Sequence, residues 1–134
     1  MLKKTVTYTD FNGVERTEDF YFNLSTTELQ EIESSIPGGM SAKLAAIQAA
    51  KDVDEVMKFF KFILMKAYGE KSPDGRRLMK EDGKLAKAFV ETPAYDIIFQ
   101  ELFASEGNTL KDFLLGIVPS DIAVKISESF DSGK

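Results

Sequence analysis

Carboxylate, ammonium and guanidinium groups are the polar side chains with which this sequence could do chemistry, because it contains neither histidine nor cysteine. Serine triads, cysteine nucleophiles and imidazole- or thiolate-based zinc sites are therefore excluded. The 22 Asp and Glu residues leave carboxylate chemistry and a carboxylate-bound Mg²⁺ or Ca²⁺ open. No phosphate-binding loop, dinucleotide-binding glycine motif or EF-hand loop is present. We assign no catalytic, cofactor-binding or metal-binding residue, and we expect a protein that is not an enzyme.

Candidate binding residues lie on the helix predicted near residues 53–68, with Asp52 as N-cap and Gly69 as C-cap. At 100° per residue, one broad face of this helix is apolar. Phe62 and Met65 fall on the opposite face, which carries lysines. One interpretation is a central helix that is contacted on two sides; the other is an apolar patch that binds a protein. On the second interpretation, the candidate contacts are Phe59, Phe62 and Met65. The predicted core face comprises Val53, Val56, Met57, Phe60, Ile63, Leu64, Ala67 and Tyr68.

A basic segment follows this helix. Residues 72–75 (SPDG) predict a type I turn, and Arg76, Arg77 and Lys80 come directly after it. Residues 71–87 carry six basic and three acidic groups, which gives a net charge of +3 in a chain whose total is −5. Such a run is either solvated surface or a contact for an acidic helix of a partner. On the second interpretation, Arg76 and Arg77 are candidate partner-binding residues.

The N-terminal elements form a β-hairpin with strands near residues 2–10 and 14–22. A two-residue turn at Asn12 and Gly13 would place the apolar residues of the two strands on opposite faces. A three-residue loop that pairs Asp10 with Val14 gathers them on one face. Asp10 then opens a type I turn, and Gly13 supplies the left-handed residue of a bulge. The residues gathered on this face are Leu2, Val6, Tyr8, Val14, Phe20 and Phe22.

The predicted fold class is mainly α with an N-terminal β-hairpin (α+β), in one small domain of about five to seven helices. Residues 1–23 form the hairpin, residues 25–130 the helical body and residues 131–134 a frayed tail. Ser25 and Glu28 predict a capping box at the first helix, and Thr92 caps the helix that begins at Pro93. The predicted helices cover about residues 25–35, 41–50, 53–68, 84–90, 93–104, 109–116 and 121–130.

Three segments in order resemble the tail assembly chaperones of phages with long non-contractile tails. They are the hairpin of residues 8–13 (YTDFNG) with residues 17–24 (TEDFYFNL), residues 68–77 (YGEKSPDGRR), and residues 89–119, which include TPAY and FLLGIVP. The similarity covers most of residues 4–119. Residues 77–88 depart from it, since Met79, Lys80 and Gly83 stand where the family has a more regular acidic helix, and the chain continues beyond Pro119.

The resemblance implies a non-enzymatic protein that binds and solubilises the tape measure protein during tail morphogenesis. It also implies release as tail tube subunits polymerise, absence from the mature virion and work in the cytoplasm of the bacterial host. We expect no cofactor, no nucleic-acid partner, given the acidic net charge, and no membrane span, because no run approaches the 20 or so apolar residues required. The uneven charge is compatible with self-association. A terminator- or connector-like tail subunit and a small regulatory binding module are the alternatives.

Overall fold

The N-terminal hairpin has the register that the sequence predicts. In the computed structural model, which describes residues 1–104 and 108–119, β1 (Leu2–Thr9) pairs antiparallel with β2 (Glu15–Phe22). The Asp10 amide donates to the Val14 carbonyl at 2.8 Å, and the Gly13 amide donates to the Asp10 carbonyl at 3.0 Å. Gly13 has φ of +80°, a left-handed conformation that suits glycine. The three-residue loop is therefore confirmed.

The Asp10 carboxylate holds this turn together. It accepts hydrogen bonds from the amides of Asn12 and Val14, each at 2.9 Å, and from Arg16 Nε at 2.6 Å. The bond from Arg16, followed by that from the Val14 amide, lowers the pKa of Asp10. The turn is thus closed by contacts within seven residues, so its geometry depends little on the rest of the fold.

The apolar face of the hairpin packs on helices, as predicted, except at its tip. Val6, Phe20 and Phe22 are buried, and Leu2 and Tyr8 are half-buried against the same core. Val14, however, is 52% exposed, so its assignment to the packed face was wrong. It lies beyond the end of the paired strands, where no helix reaches in the described part of the chain. The opposite face of the hairpin is polar: across the strands, the Thr5 hydroxyl donates to Asp19 and the hydroxyls of Thr7 and Thr17 are hydrogen-bonded to each other.

Two further strands, which the sequence analysis did not predict, extend the sheet beyond the N-terminal hairpin. β3 (Tyr68–Lys71) pairs with the end of β2, and β4 (Leu78–Met79) pairs with β3, which gives the order β1-β2-β3-β4. The predicted turn at residues 72–75 connects β3 to β4, with the Gly75 amide donating to the Ser72 carbonyl at 2.9 Å. The fold is α+β, with strands in both halves of the described chain.

The described residues contain six α-helices. The Ser25 capping box is confirmed, since Ser25 Oγ accepts from the Glu28 amide at 3.1 Å and Glu28 Oε1 accepts from the Ser25 amide at 2.9 Å. Thr92 Oγ1 likewise accepts from the Tyr95 amide at 3.3 Å. The helix predicted near residues 121–130 and the tail of residues 131–134 lie outside the described residues. The helices are α1 (Thr26–Ser35), α2 (Gly39–Ala50), α3 (Val53–Ala67), α4 (Lys84–Phe89), α5 (Pro93–Ala104) and α6 (Asn108–Ile117).

An aromatic cluster joins the sheet to the C-terminal helices. The ring of Phe22, which is 0% exposed, lies edge-on to Tyr68, Phe89 and Phe113, with centroid distances of 5.9, 5.9 and 5.5 Å. Tyr68 and Phe89 are stacked, with centroids 4.2 Å apart. This cluster connects β2 and β3 with α4 and α6.

Helix α3 differs from its prediction at both ends. Val53 is 58% exposed and Met57 is 38% exposed, so their assignment to the core face was wrong. The buried residues of α3 lie from Phe59 onward, and in its first turns only the predicted core residue Val56 packs against the core, where it is half-buried. At the other end, Tyr68 is already extended, with φ of −63° and ψ of 138°, and it begins β3.

Gly69 is a close-packed strand residue and not the predicted C-cap. A Cβ at this position would lie 2.5 Å from Leu78 Cγ and 3.1 Å from the Met79 carbonyl oxygen. Its role is therefore to let β4 approach β3 closely.

We expect Gly69→Ala to lower the free energy of unfolding by about 1–3 kcal/mol, because the added methyl group forces the two strands apart. Urea unfolding followed by circular dichroism measures the change. Gly116→Ala in α6 is the matched control, since a Cβ there meets Leu2 at an ordinary 3.5 Å. Alanine is also the better helix former, so this control should be neutral or stabilising by up to about 1 kcal/mol. Equal losses for the two variants would contradict the role of Gly69.

Candidate functional site

A groove of about 540 Å³ lies between α1 and α3. α1 contributes residues spaced three, four and seven positions apart, so that they fall on one side of the helix. α3 contributes a smaller set, spaced three and four positions apart. The α1 wall consists of Glu28, Glu31, Ile32 and Ser35, and the α3 wall of Phe62, Met65 and Lys66. Two of the five candidate residues, Phe62 and Met65, therefore share one groove.

The α3 wall presents apolar groups that are held in place but not covered. Phe62 and Met65 are half-buried and pack against the core. Phe59 is only 5% exposed and lies behind Phe62, with ring centroids 6.5 Å apart. Lys66 Nζ lies 5.8 Å from the Phe62 ring centroid, a distance at which cation and ring attract. Phe59 is thus buried next to Phe62, and its own ring is not available to a partner in this structure.

One end of the groove is closed by Lys80. Its ammonium group donates to the Asn23 carbonyl at 2.8 Å, to the Lys66 carbonyl at 2.8 Å and to Glu28 Oε2 at 2.6 Å. It thereby connects the end of β2, the last turn of α3 and the first turn of α1. The sequence grouped Lys80 with the exposed basic run, but its ammonium group points inward and is fully bonded.

The Glu28 carboxyl group is ionised more readily than an ordinary glutamate. Its partial burial raises its pKa, but hydrogen bonds from Lys80 and from the Ser25 amide, together with the charge of Lys80, outweigh that effect. The pKa of Glu28 consequently lies below the usual 4.5. At neutral pH, Glu28 and Lys80 form a charge-neutral pair at the closed end of the groove.

A left-handed turn places Asp82 on the rim of the groove. Glu81, Asp82 and Gly83 have φ of 49°, 55° and 84° in succession. The left-handed region costs a non-glycine residue about 1–2 kcal/mol, although aspartate tolerates it better than most residues. Lys80, which precedes the turn, is anchored by its three hydrogen bonds. The turn therefore starts from a fixed point and directs Asp82 to the groove.

Arg76 and Arg77 lie elsewhere, at the turn between β3 and β4. The Arg76 amide donates to Asp74 Oδ1 and the Arg77 amide to Ser72 Oγ, each at 3.1 Å, so their backbone is ordered while both side chains are exposed. Within the described residues, neither guanidinium group forms an ion pair. The structure does not bring these arginines to the groove that holds Phe62 and Met65.

A second pocket, of about 310 Å³, lies between the hairpin and α4. The Tyr8 hydroxyl donates to Glu18, and the Tyr68 hydroxyl donates to Glu70 at 3.4 Å. Burial raises the pKa of Tyr68, so its hydroxyl stays protonated and remains a donor. The three carboxylates of this pocket, Glu18, Asp19 and Glu70, therefore each accept a hydrogen bond already. The groove between α1 and α3, with accessible apolar groups, is the better candidate for binding another molecule.

The sequence model of one protein family, described as phage tail assembly chaperone, matches residues 1–132. The chain belongs to the phage tail assembly chaperone family. This membership confirms the resemblance carried by the hairpin, the YGEKSPDGRR segment and the TPAY segment. No curated protein and no solved structure is significantly similar to the chain.

Neither a cluster of metal-binding side chains nor a membrane-spanning helix is found in the described residues of this chaperone-family chain. Residues 1–104 and 108–119 contain no group of three acidic side chains arranged to hold a metal ion. In the same residues, none of the helices has the length and apolar character needed to cross a bilayer.

Sequence reasoning missed the α1 wall of the groove. Glu28 was recognised only as a capping residue, and Glu31 and Asp82 received no role. The spacing of Glu28, Glu31, Ile32 and Ser35 was a usable signal for a shared helix side, but nothing local indicates that this side faces α3.

Proposed function

We propose that this chain binds the tape measure protein and keeps it soluble during tail assembly, by non-enzymatic contacts, in the cytoplasm of the bacterial host. It would leave before the virion is complete. Family membership supports a role in tail assembly. The observation that carries the proposal further is the groove whose wall exposes parts of Phe62 and Met65 beside Lys66.

A groove of this kind suits a chaperone that must release its client. Two half-buried apolar side chains offer limited contact area, so one groove binds weakly. Many copies along a long client bind strongly in sum, while each copy can still dissociate. Arg76 and Arg77 offer a separate contact for acidic groups of the same client, because their side chains are exposed and carry no ion pair in the described residues.

Co-expression with the neighbouring tape measure gene tests this function. We expect the tape measure protein to become soluble and to co-purify with the wild-type chain. Phe62→Glu and Met65→Lys should each reduce the soluble fraction at least about fivefold, because a charged group placed in the groove opposes apolar contact. The readout is the soluble tape measure protein in a pull-down.

Met57→Lys is the matched control for Met65→Lys. It makes the same chemical change on the same helix, but Met57 is exposed and lies outside the groove. Circular dichroism and urea unfolding check that each variant is folded, which matters because Phe62 and Met65 contact the core. An insoluble tape measure protein in the presence of the wild-type chain would reject the function. Equal loss with Met57→Lys would reject the groove as the binding site.

A further inference from the structure

The charges around the groove select what can enter it. We infer that the groove receives about two turns of an amphipathic helix whose flank carries lysine or arginine, and that these cations pair with Glu31 and Asp82. The inference rests on the proposed function, since it specifies the chemistry of the segment that the chaperone would hold.

The length of the groove fits two helical turns. Its α1 wall runs from Glu28 to Ser35, eight residues whose seven steps rise by about 10 Å along the helix. The facing α3 wall places Phe62 and Met65 one turn apart. A helix lying in such a groove anchors itself by apolar residues three, four and seven positions apart, as in other helix-in-groove complexes. An extended strand would instead need unpaired backbone groups on one wall, and two packed helices offer none.

The uncompensated charge of the groove is negative. Its walls carry the acidic Glu28, Glu31 and Asp82 against the basic Lys66 and Lys80, which is three against two and a net charge of −1. Glu28 and Lys80 neutralise each other at 2.6 Å, and Lys66 lies against the Phe62 ring. Within the described residues, Glu31 and Asp82 form no ion pair.

The two free carboxylates are placed where a bound helix would carry its flanking side chains. Glu31 stands one turn beyond Glu28 on the α1 wall, and Asp82 comes from the left-handed turn beside the closed end. An incoming lysine or arginine therefore meets a carboxylate at the rim while apolar groups enter below. An incoming glutamate would meet like charge, which disfavours acidic helices.

Two synthetic amphipathic helices test this selection. Both carry leucines at positions i, i+3, i+4 and i+7; one has lysines at the flanking positions and the other has glutamates. We expect the lysine-flanked peptide to bind the wild-type chain at least about fivefold more tightly at low salt, with the preference shrinking as salt rises. Fluorescence anisotropy of labelled peptides measures both affinities.

The decisive variant is the double substitution Glu31→Gln with Asp82→Asn, which removes two charges while asparagine keeps the left-handed backbone accessible. It should abolish most of the preference. Glu15→Gln with Glu91→Gln removes the same charge from exposed positions outside the groove and should preserve it. Comparing the two double variants distinguishes recognition of lysine by the groove from a general electrostatic attraction to a chain of net charge −5.

The outcomes distinguish this inference from the proposed function. Equal affinity of the two peptides, or a preference unchanged by Glu31→Gln with Asp82→Asn, would overturn the inference. If Phe62→Glu still abolished solubilisation of the tape measure protein, the proposed function would stand without it. Conversely, a lysine preference that survives in Phe62→Glu with undiminished affinity would place peptide binding outside the groove and also overturn the inference.

Discussion

Phe22→Ala should lower the free energy of unfolding by about 3–5 kcal/mol, the usual range for removing a fully buried phenylalanine from a core. Phe22 is 0% exposed, and its ring contacts Tyr68, Phe89 and Phe113 edge-on. These three rings belong to β3, α4 and α6, so the cavity would open where the sheet meets the C-terminal helices. Little of the cavity can collapse, because each neighbouring ring is fixed in a different element. Urea unfolding measures the loss.

Phe11→Ala is the matched control for Phe22→Ala. It makes the same chemical change at the tip of the hairpin, where Phe11 is 84% exposed. We expect a change within about 0.5 kcal/mol, as for most surface substitutions. Equal decreases in the free energy of unfolding for Phe22→Ala and Phe11→Ala would contradict the stabilising role of the aromatic cluster.

Lys80→Met is expected to lower the free energy of unfolding by about 1–3 kcal/mol, because it removes a charged donor from three acceptors. The Asn23 carbonyl and Glu28 Oε2 are partly buried, and the Lys66 carbonyl is exposed. Methionine keeps the length and much of the apolar stem of lysine, so the loss reports mainly on the hydrogen bonds to Asn23, Glu28 and Lys66. Glu28 would keep its charge with one partner fewer. Lys84→Met is the control, since Lys84 is exposed at the start of α4. A similar loss in both variants would show that charge removal alone is responsible.

The same pair predicts a dependence of stability on pH. Because the folded pKa of Glu28 lies below the 4.5 of an ordinary glutamate, the unfolded chain takes up the proton more readily. The stabilisation by Glu28 is therefore present above that ordinary value and is lost as the pH falls through the lowered pKa. Urea unfolding between pH 3 and pH 7 should show this acid loss in the wild-type chain. The loss should be smaller in Lys80→Met, where the largest favourable contact of Glu28 is missing.

The groove depends on Lys80 as well as on its own walls. The ammonium group joins the end of β2 to both helices that line the groove, and the hydrogen bond to Glu28 links residues 52 positions apart. Removing it leaves the Glu28 carboxylate without its ion-pair partner and changes the net charge of the groove from −1 to −2, since three acidic groups then face one basic group. We therefore expect Lys80→Met to strengthen the lysine preference of the groove under conditions where the chain remains folded.

Local signals determined much of this protein. The period-two pattern selected the three-residue loop, since another register would have turned apolar side chains to solvent. Ser25 with Glu28 marked the start of α1, and Thr92 with Pro93 marked the start of α5. Each of these signals acts between residues a few positions apart, so it is complete in the sequence. The same ordered segments carried the family resemblance, which the match over residues 1–132 confirms.

The tertiary structure determines the later strands, the role of Gly69 and the extent of the buried face of α3, which local signals do not predict. β3 and β4 have four and two residues, too few for a periodic pattern. β3 pairs with the distant β2 through Tyr21 and Gly69, and β4 in turn pairs with β3. Gly69 therefore looked like a helix cap until the position of Leu78 was known. Helical periodicity likewise assigned Val53 and Met57 to the core. It predicts on which side of the helix a residue lies, but not whether another element covers that side at that position.

The groove is the feature that most depends on the folded chain. The sequence alone identified Phe62 and Met65 as candidate contacts, from their position opposite the apolar face of α3. It could not show that Phe59 is covered, that Arg76 and Arg77 lie elsewhere, or that Glu31 and Asp82 stand at the rim. Those facts depend on how α1 packs beside α3 and on the anchoring of Lys80. Such packing is set by contacts between distant residues, which leave no local pattern in the sequence.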